Sequence, residues 1–217
     1  MCRIMTAILY DYHRSSAAYR VRIALNFKGI PYEAMPVSLV AGEQGSDAHR
    51  ARNPQGFVPV LEIDGVRLTQ SVAIVGYLDR VYPMPPLLPF EPEDRAHVES
   101  MALLIACDIH PLNNLRVLRY LSGPLEQPEE ARDAWYRHWV GEGLAALEAI
   151  AAPRAGAFLF GDACTLADVC LVPQLANARR LDCSLDAYPT LLRADAAACS
   201  LEPVAAAHPD RVRPPEA

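Results

Sequence analysis

Eleven residues, Tyr82 to Pro92, do most to limit what this chain can become. Five of them are proline, which lacks a backbone N–H and fits neither a helix interior nor a central strand. The stretch reads as a linker, and the sequence pattern changes across it. Before it, short apolar runs alternate with amphipathic segments; after it, the periodicity is almost entirely helical. An α/β domain over residues 1–83, a proline-rich linker over 84–93 and an all-helical domain over 94–217 follow from that change.

The first domain opens with the apolar run Ala7-Ile8-Leu9-Tyr10, then Arg14-Ser15-Ser16, then an amphipathic stretch closed by Lys28-Gly29. That order predicts strand, turn and helix, with Ser15 or Ser16 as the N-cap and Gly29 supplying the left-handed residue past the end. Tyr19, Ile23 and Phe27 share one helix face, while Arg20, Arg22 and Lys28 are expected to reach solvent. Tyr32 to Leu39 is the next strand, which makes a right-handed parallel βαβ unit. A polar loop with one helical turn near Asp47 to Arg52 leads to an apolar run over 57–63. Asp64-Gly65 is a hairpin turn, Val66 to Leu68 the last strand, and the helix through Val81 starts near Ser71. The order β-α-β-(α)-β-β-α is that of a thioredoxin-like domain.

With 217 residues the chain has ample material for a core, and a formal charge of −6 argues against a general nucleic-acid binder. No run approaches the roughly 18 apolar residues of a membrane span. No export signal is evident, so a cytoplasmic protein is expected, with no nucleic-acid or membrane partner. Cys2, Cys107, Cys164, Cys170, Cys183 and Cys199 form no CxxC pair and read as reduced, mostly buried thiols. The histidines lack metal-ligand spacing, and no metal is expected.

In the helical half, 94–121 is expected to be mostly helical with a bend at Pro111. Arg132 to Ile150 carries an aromatic stripe read as core. Thr165-Leu166-Ala167-Asp168 is a capping box with Asp in the Glu position, and Asp168 is read as structural. Tyr188-Pro189-Thr190 begins a last helix, and the tail after Pro203 is expected to fray.

Four sets of residues together resemble the zeta class of glutathione transferases, nearest its maleylacetoacetate and maleylpyruvate isomerases. They are Ser15-Ser16 followed by Tyr19-Arg20-Val21-Arg22; Asn53-Pro54 with Val58-Pro59-Val60-Leu61; Gln70-Ser71 with Ala73-Ile74; and, in the second half, Asp108-Ile109-His110-Pro111 with Gly161-Asp162, Thr165 and Asp168. The likeness runs from about Thr6 to about Cys199. It implies the two-domain glutathione transferase architecture, glutathione as cofactor, a homodimer, and cis–trans isomerisation of a dicarboxylate in aromatic catabolism. General glutathione conjugation, haloacid dehalogenation and a non-enzymatic glutathione-binding module are the alternatives.

The resemblance also assigns residues. Ser15 holds the thiolate, with Ser16 supporting it and Arg14 beside it. Gln44, Val58, Gln70 and Ser71 bind the tripeptide, Val58 through its backbone next to a cis Pro59. His110, Asn114, Arg116 and one of Arg179 or Arg180 face the substrate, and Arg14, Arg116 and one of that pair clamp its two carboxylates, because a dianion suits planar, permanently charged partners. Ala17 stands where the family often has Cys.

Overall fold

The computed structural model describes residues 7–214, so Cys2 lies outside the described residues. The chain forms two compact units. One contains residues up to Pro86 together with those from Leu201 onward; the other is Leu87–Ser200.

In the first unit, β1 (Ala7–Asp11), α1 (Ser16–Phe27) and β2 (Tyr32–Pro36) form the parallel βαβ unit. A short helix α2 (Asp47–Arg50) follows, then β3 (Val60–Ile63), β4 (Val66–Thr69) and α3 (Ser71–Val81). The sheet order is β2-β1-β3-β4, with β3 antiparallel to both neighbours. Asp64 and Gly65 both have positive φ in the hairpin turn, at 52° and 78°, as a two-residue turn matched to sheet twist requires. Gly29, at φ 62°, closes α1.

The expected solvent-facing cations of α1 are buried instead. The helix packs against both α3 and α9 (Glu202–Ala206), which leaves little of its surface wet. Arg22 is fully buried. Its Nη1 donates to both Asp11 oxygens at 2.9 and 2.6 Å, Nη2 to the His13 carbonyl at 3.0 Å and Nε to the Ala207 carbonyl at 3.1 Å. Arg20 Nε donates to Ser71 Oγ at 2.9 Å, and Lys28 Nζ pairs with Asp79 at 2.7 Å. A buried guanidinium holds its place only when its donors are satisfied, and amphipathic spacing does not reveal the partners.

The described residues just beyond Pro203 are likewise packed, in contrast to the expected fraying. α9 packs on α1, Val204 and Ala207 are buried, and Asn26 donates to the Pro203 carbonyl. These residues group with the first unit and not with the helical domain, where the sequence reading put them.

The second unit is helical: α4 (Pro92–Leu103), α5 (Leu115–Ser122), α6 (Glu129–Ala151), α7 (Leu166–Arg180) and α8 (Pro189–Cys199). Eleven of the fifteen α7 residues are buried, so α7 is the central helix. Between α4 and α5 the expected bend is a full break. Leu104–Ile109 is a π-turn, the His110 N–H reaching back to the Ile105 carbonyl; Pro111–Asn113 is a 3₁₀ turn. Pro111 clashes with the carbonyl four residues back, and the widened turn accommodates it. Tyr136 is buried, but Trp135 and Trp139 are only half-buried, and Trp135 Nε1 donates to the Leu112 carbonyl. Among the described cysteines only Cys164 and Cys170 are buried; Cys107 and Cys199 are exposed.

Asp168 has the structural place expected of it. Its carboxylate accepts from the Leu159 N–H at 2.9 Å, the Thr165 N–H at 2.8 Å and the Thr165 hydroxyl at 3.0 Å. Burial outweighs these bonds and pushes its pKa up to about 6. A carboxyl whose pKa is raised on folding stabilises the fold fully below its unfolded value and loses that stability as pH rises through the folded one. For Asp168 the loss falls between about pH 4 and pH 6 and amounts to roughly 3 kcal/mol. Asp168→Asn weakens the Thr165 bonds and removes the titrating group, so its cost should be largest near pH 4 and smaller by about 2–3 kcal/mol at pH 7. Urea unfolding at pH 4, 5, 6 and 7 should show a flatter pH slope for this variant than for the wild type, and parallel slopes would contradict the assignment.

Candidate active site

The turn after β1 brings Arg14 and Ser15 to the start of α1. The Ser15 N–H donates to the Tyr12 carbonyl at 2.7 Å, and Ser15 Oγ accepts from the Ala18 N–H at 3.2 Å. Ser15, not Ser16, is therefore the N-cap. Accepting from Ala18 uses an oxygen lone pair and leaves the hydroxyl proton able to donate. Ser16 is buried and Arg14 exposed. His13 is also buried, and burial, aided by Arg14 and Arg213, pushes its pKa down. The cation next to Ser15 at neutral pH is Arg14.

Two helix starts in this unit share an electrostatic peculiarity. Within this unit the first turns of α1 and α3 contain no acidic residue, whereas those of α2 and α9 do; in the helical unit α5 and α8 lack one as well, and α4, α6 and α7 carry one. The positive ends of α1 and α3 are thus left for an external anion. Ser71 opens α3, its Oγ fixed by Arg20. Gln70 precedes it at φ 66°, ψ 108° and is exposed. Positive φ in a non-glycine residue is strained and clusters at functional positions. Its side chain donates to Gln55 Oε1 at 2.8 Å, a partner that no sequence pattern marks.

The Val58–Pro59 peptide bond is cis, as the resemblance implies, and Val58 lies two residues ahead of the ladder that begins at Val60. Gln44 sits in a 3₁₀ turn, Glu43–Gly45, and its Oε1 is buried without a hydrogen-bond partner among the described residues. A buried orphan acceptor calls for a ligand or water donor. Ser15, Gln44, Val58, Gln70 and Ser71 all belong to the first unit.

The remaining candidates lie in the second unit. Asn114 caps α5, its Oδ1 accepting from the Arg116 N–H at 3.1 Å; its amide nitrogen is the group left for a ligand. His110 is half-buried at the end of the π-turn, and Arg116 is exposed on α5. Arg179 and Arg180 part company. Arg179 pairs with Asp195 at 2.6 Å, whereas exposed Arg180 lies near Tyr136, opposing the burial that pushes that hydroxyl to about 12. Tyr136, with Leu115, Leu118, Arg119 and Leu181, lines a solvent-open cavity of about 180 Å³. Arg180 is within electrostatic reach of Tyr136 without lining the cavity itself, and Arg179 serves as an ion-pair partner.

A thioredoxin-like unit with two acid-free helix starts, followed by a helical unit, defines a protein class that the comparisons name. The family "Glutathione S-transferase, N-terminal domain" matches residues 5–80. A maleylacetoacetate isomerase of Rhizobium meliloti is 49% identical over 208 residues, covering 95% of this chain and 98% of that protein. A holo structure of maleyl pyruvate isomerase, described as a bacterial zeta-class glutathione S-transferase, superposes with a TM-score of 0.92 at 42% identity, covering 95% and 98% of the two chains. A maleylacetoacetate isomerase of Methylobacterium extorquens AM1, with malonate and glutathione bound, gives 0.91 at 42% identity, covering 94% and 97%. The chain belongs to the zeta-class glutathione transferases, in the branch of the maleylacetoacetate and maleylpyruvate isomerases. No helix among the described residues is long and apolar enough to cross a membrane.

Proposed function

We propose that this protein isomerises a maleyl keto acid, maleylacetoacetate or maleylpyruvate, from cis to trans with glutathione as cofactor. The observation that carries the reading is the pair of acid-free helix starts, each with a serine, within one unit. Two such sites suit a peptide that presents a thiolate to one and a carboxylate to the other. The orphaned Gln44 Oε1 fits the same ligand, since a tripeptide brings amide donors.

Bound glutathione supplies a thiolate that adds reversibly to the substrate double bond, allowing rotation before it leaves. The residues of the chain do the rest. The Ser15 hydroxyl and the first N–H groups of α1 donate to the sulfur, lowering its pKa. Ser16 supports that turn, and Arg14 adds positive charge beside it. Ser71 and the α3 N-terminus hold a carboxylate, with Gln70 beside it; Gln44 and the Val58 backbone fix the peptide in extended form. Arg116 and Arg180 hold the substrate carboxylates and stabilise charge that develops on the keto oxygen, assisted by His110 and the Asn114 amide. The working state is a cytoplasmic homodimer in this proposal, with sedimentation equilibrium as the check.

An absorbance assay with each substrate at trace glutathione tests the function. Many turnovers per glutathione are expected. Consumption of one glutathione per product would instead mean a conjugating transferase, and retention on immobilised glutathione without turnover a binding module.

A further inference from the structure

The loop before Val58 is held from beneath by two buried side chains that the isomerase reading gives no role. His49, on α2, is 2% exposed, and Asn53, just after it, is 3% exposed. Both donate to one atom: His49 Nε2 lies 2.9 Å from the Phe57 carbonyl oxygen, and Asn53 Nδ2 also lies 2.9 Å from it. A carbonyl oxygen has two lone pairs, so these donors account for both. With Nε2 as donor, His49 is the Nε2–H tautomer, and its Nδ1 is buried without a partner among the described residues. Spending two buried polar side chains on one loop carbonyl is unusual, because such carbonyls are ordinarily satisfied by backbone or water.

The same turn touches other glutathione candidates. Asn53 Oδ1 accepts from the Gln55 N–H at 3.1 Å, and the Asn53 carbonyl accepts from the Gly56 N–H at 2.9 Å. Gln55 Oε1 in turn accepts from Gln70. Gly56 has φ 66°, and a Cβ there would come within 3.0 Å of the Gln44 carbonyl. Residues 53–57 thus abut Gln44, carry Val58 and bond to Gln70.

We propose that His49 and Asn53 are positioning residues for glutathione, acting through the Phe57 carbonyl to fix the peptide plane that leads into Val58. This rests on the isomerase reading, in which Val58 offers its backbone to the cofactor. Both residues act on affinity for the peptide and not on the thiol chemistry at Ser15, because their side-chain hydrogen bonds end at the Phe57 carbonyl and within the 53–57 turn. Losing either donor frees the carbonyl plane and charges the cost of ordering it to the binding step.

His49→Phe and Asn53→Ala are measured against the wild type and against His49→Gln, whose amide can still donate to Phe57. The readouts are the KM for glutathione, kcat at saturating glutathione, and glutathione Kd by calorimetry. Each disruptive variant should raise KM and Kd about tenfold with kcat held within twofold, and His49→Gln should recover most of the affinity. Unchanged affinity overturns the proposal, and so does a fall in kcat that matches the rise in KM. So does failure of His49→Gln to bind better than His49→Phe. A variant that fails to fold is replaced by Asn53→Ser, whose hydroxyl is too short to reach Phe57, and the same outcomes apply. If the wild type itself neither binds nor turns over glutathione, the functional reading fails and this proposal fails with it, whereas a wild type that binds alongside unaffected variants overturns this proposal alone.

Discussion

Replacing Ser15 by alanine should cut turnover by about 10²–10³-fold, the usual consequence of removing one donor aimed at developing or resident negative charge. It should also raise the pKa of the bound thiol, visible as an upward shift in the pH at which thiolate absorbance appears. The cap bond to Ala18 is lost in the same substitution, at a cost of about 1 kcal/mol in stability. That is too little to unfold a domain of ordinary stability, so the two effects can be read separately. Ser16→Ala, which leaves the cap in place, should be milder. A Ser15→Ala enzyme with normal turnover and an unshifted thiol would remove the serine from the chemistry.

The second large effect concerns the arginines of the helical unit. Arg116→Met and Arg180→Met should each raise KM for a dianionic maleyl substrate by roughly 10- to 100-fold, the worth of a charge-assisted pair. A neutral electrophile should be affected little. Arg179→Met should behave differently. Its side chain is about half exposed while that of Asp195 is buried, so the loss appears as about 1–2 kcal/mol of stability after allowing for screening. Substrate KM should scarcely move. Equal KM increases for dianionic and neutral substrates in the Arg180 variant would dispose of the carboxylate role, as would a KM effect for Arg179→Met equal to that of Arg180→Met.

The contrast between these neighbours marks where sequence reasoning stops. Element order, the hairpin at Asp64-Gly65, the cap at the start of α1 and the Thr165–Asp168 box are all local, and each rests on residues within four positions of one another. Such features are legible because their physics is short-ranged. The choice between Arg179 and Arg180 depends on Asp195, sixteen residues away on another helix. Arg22 misled for the same reason: its spacing on α1 fits a solvent face, and the Asp11 carboxylate with the His13 and Ala207 carbonyls explains its burial. His49 and Asn53 meet at Phe57 through ordinary polar residues in a polar loop. Asn53-Pro54 marks a turn, but nothing in the letters says that its amide closes on a carbonyl four residues later.

Arg22 also bears on how the protein is made. Its Nε has its acceptor at Ala207, and Asn26 has one at Pro203, so the first unit is completed by residues that follow the whole helical unit in the chain. A ribosome that has released residues up to Pro86 has exposed every strand of the sheet, yet α1 still lacks the segment that covers it. A fragment ending there would hold a buried guanidinium short of an acceptor and leave bare the α1 surface that α9 covers. Supplying residues 201–217 through a short linker after Pro86 should rescue that fragment, whereas extending it only into the helical unit should not. The helix proposed to hold the thiol is thus covered only once residues on the far side of the helical unit are present.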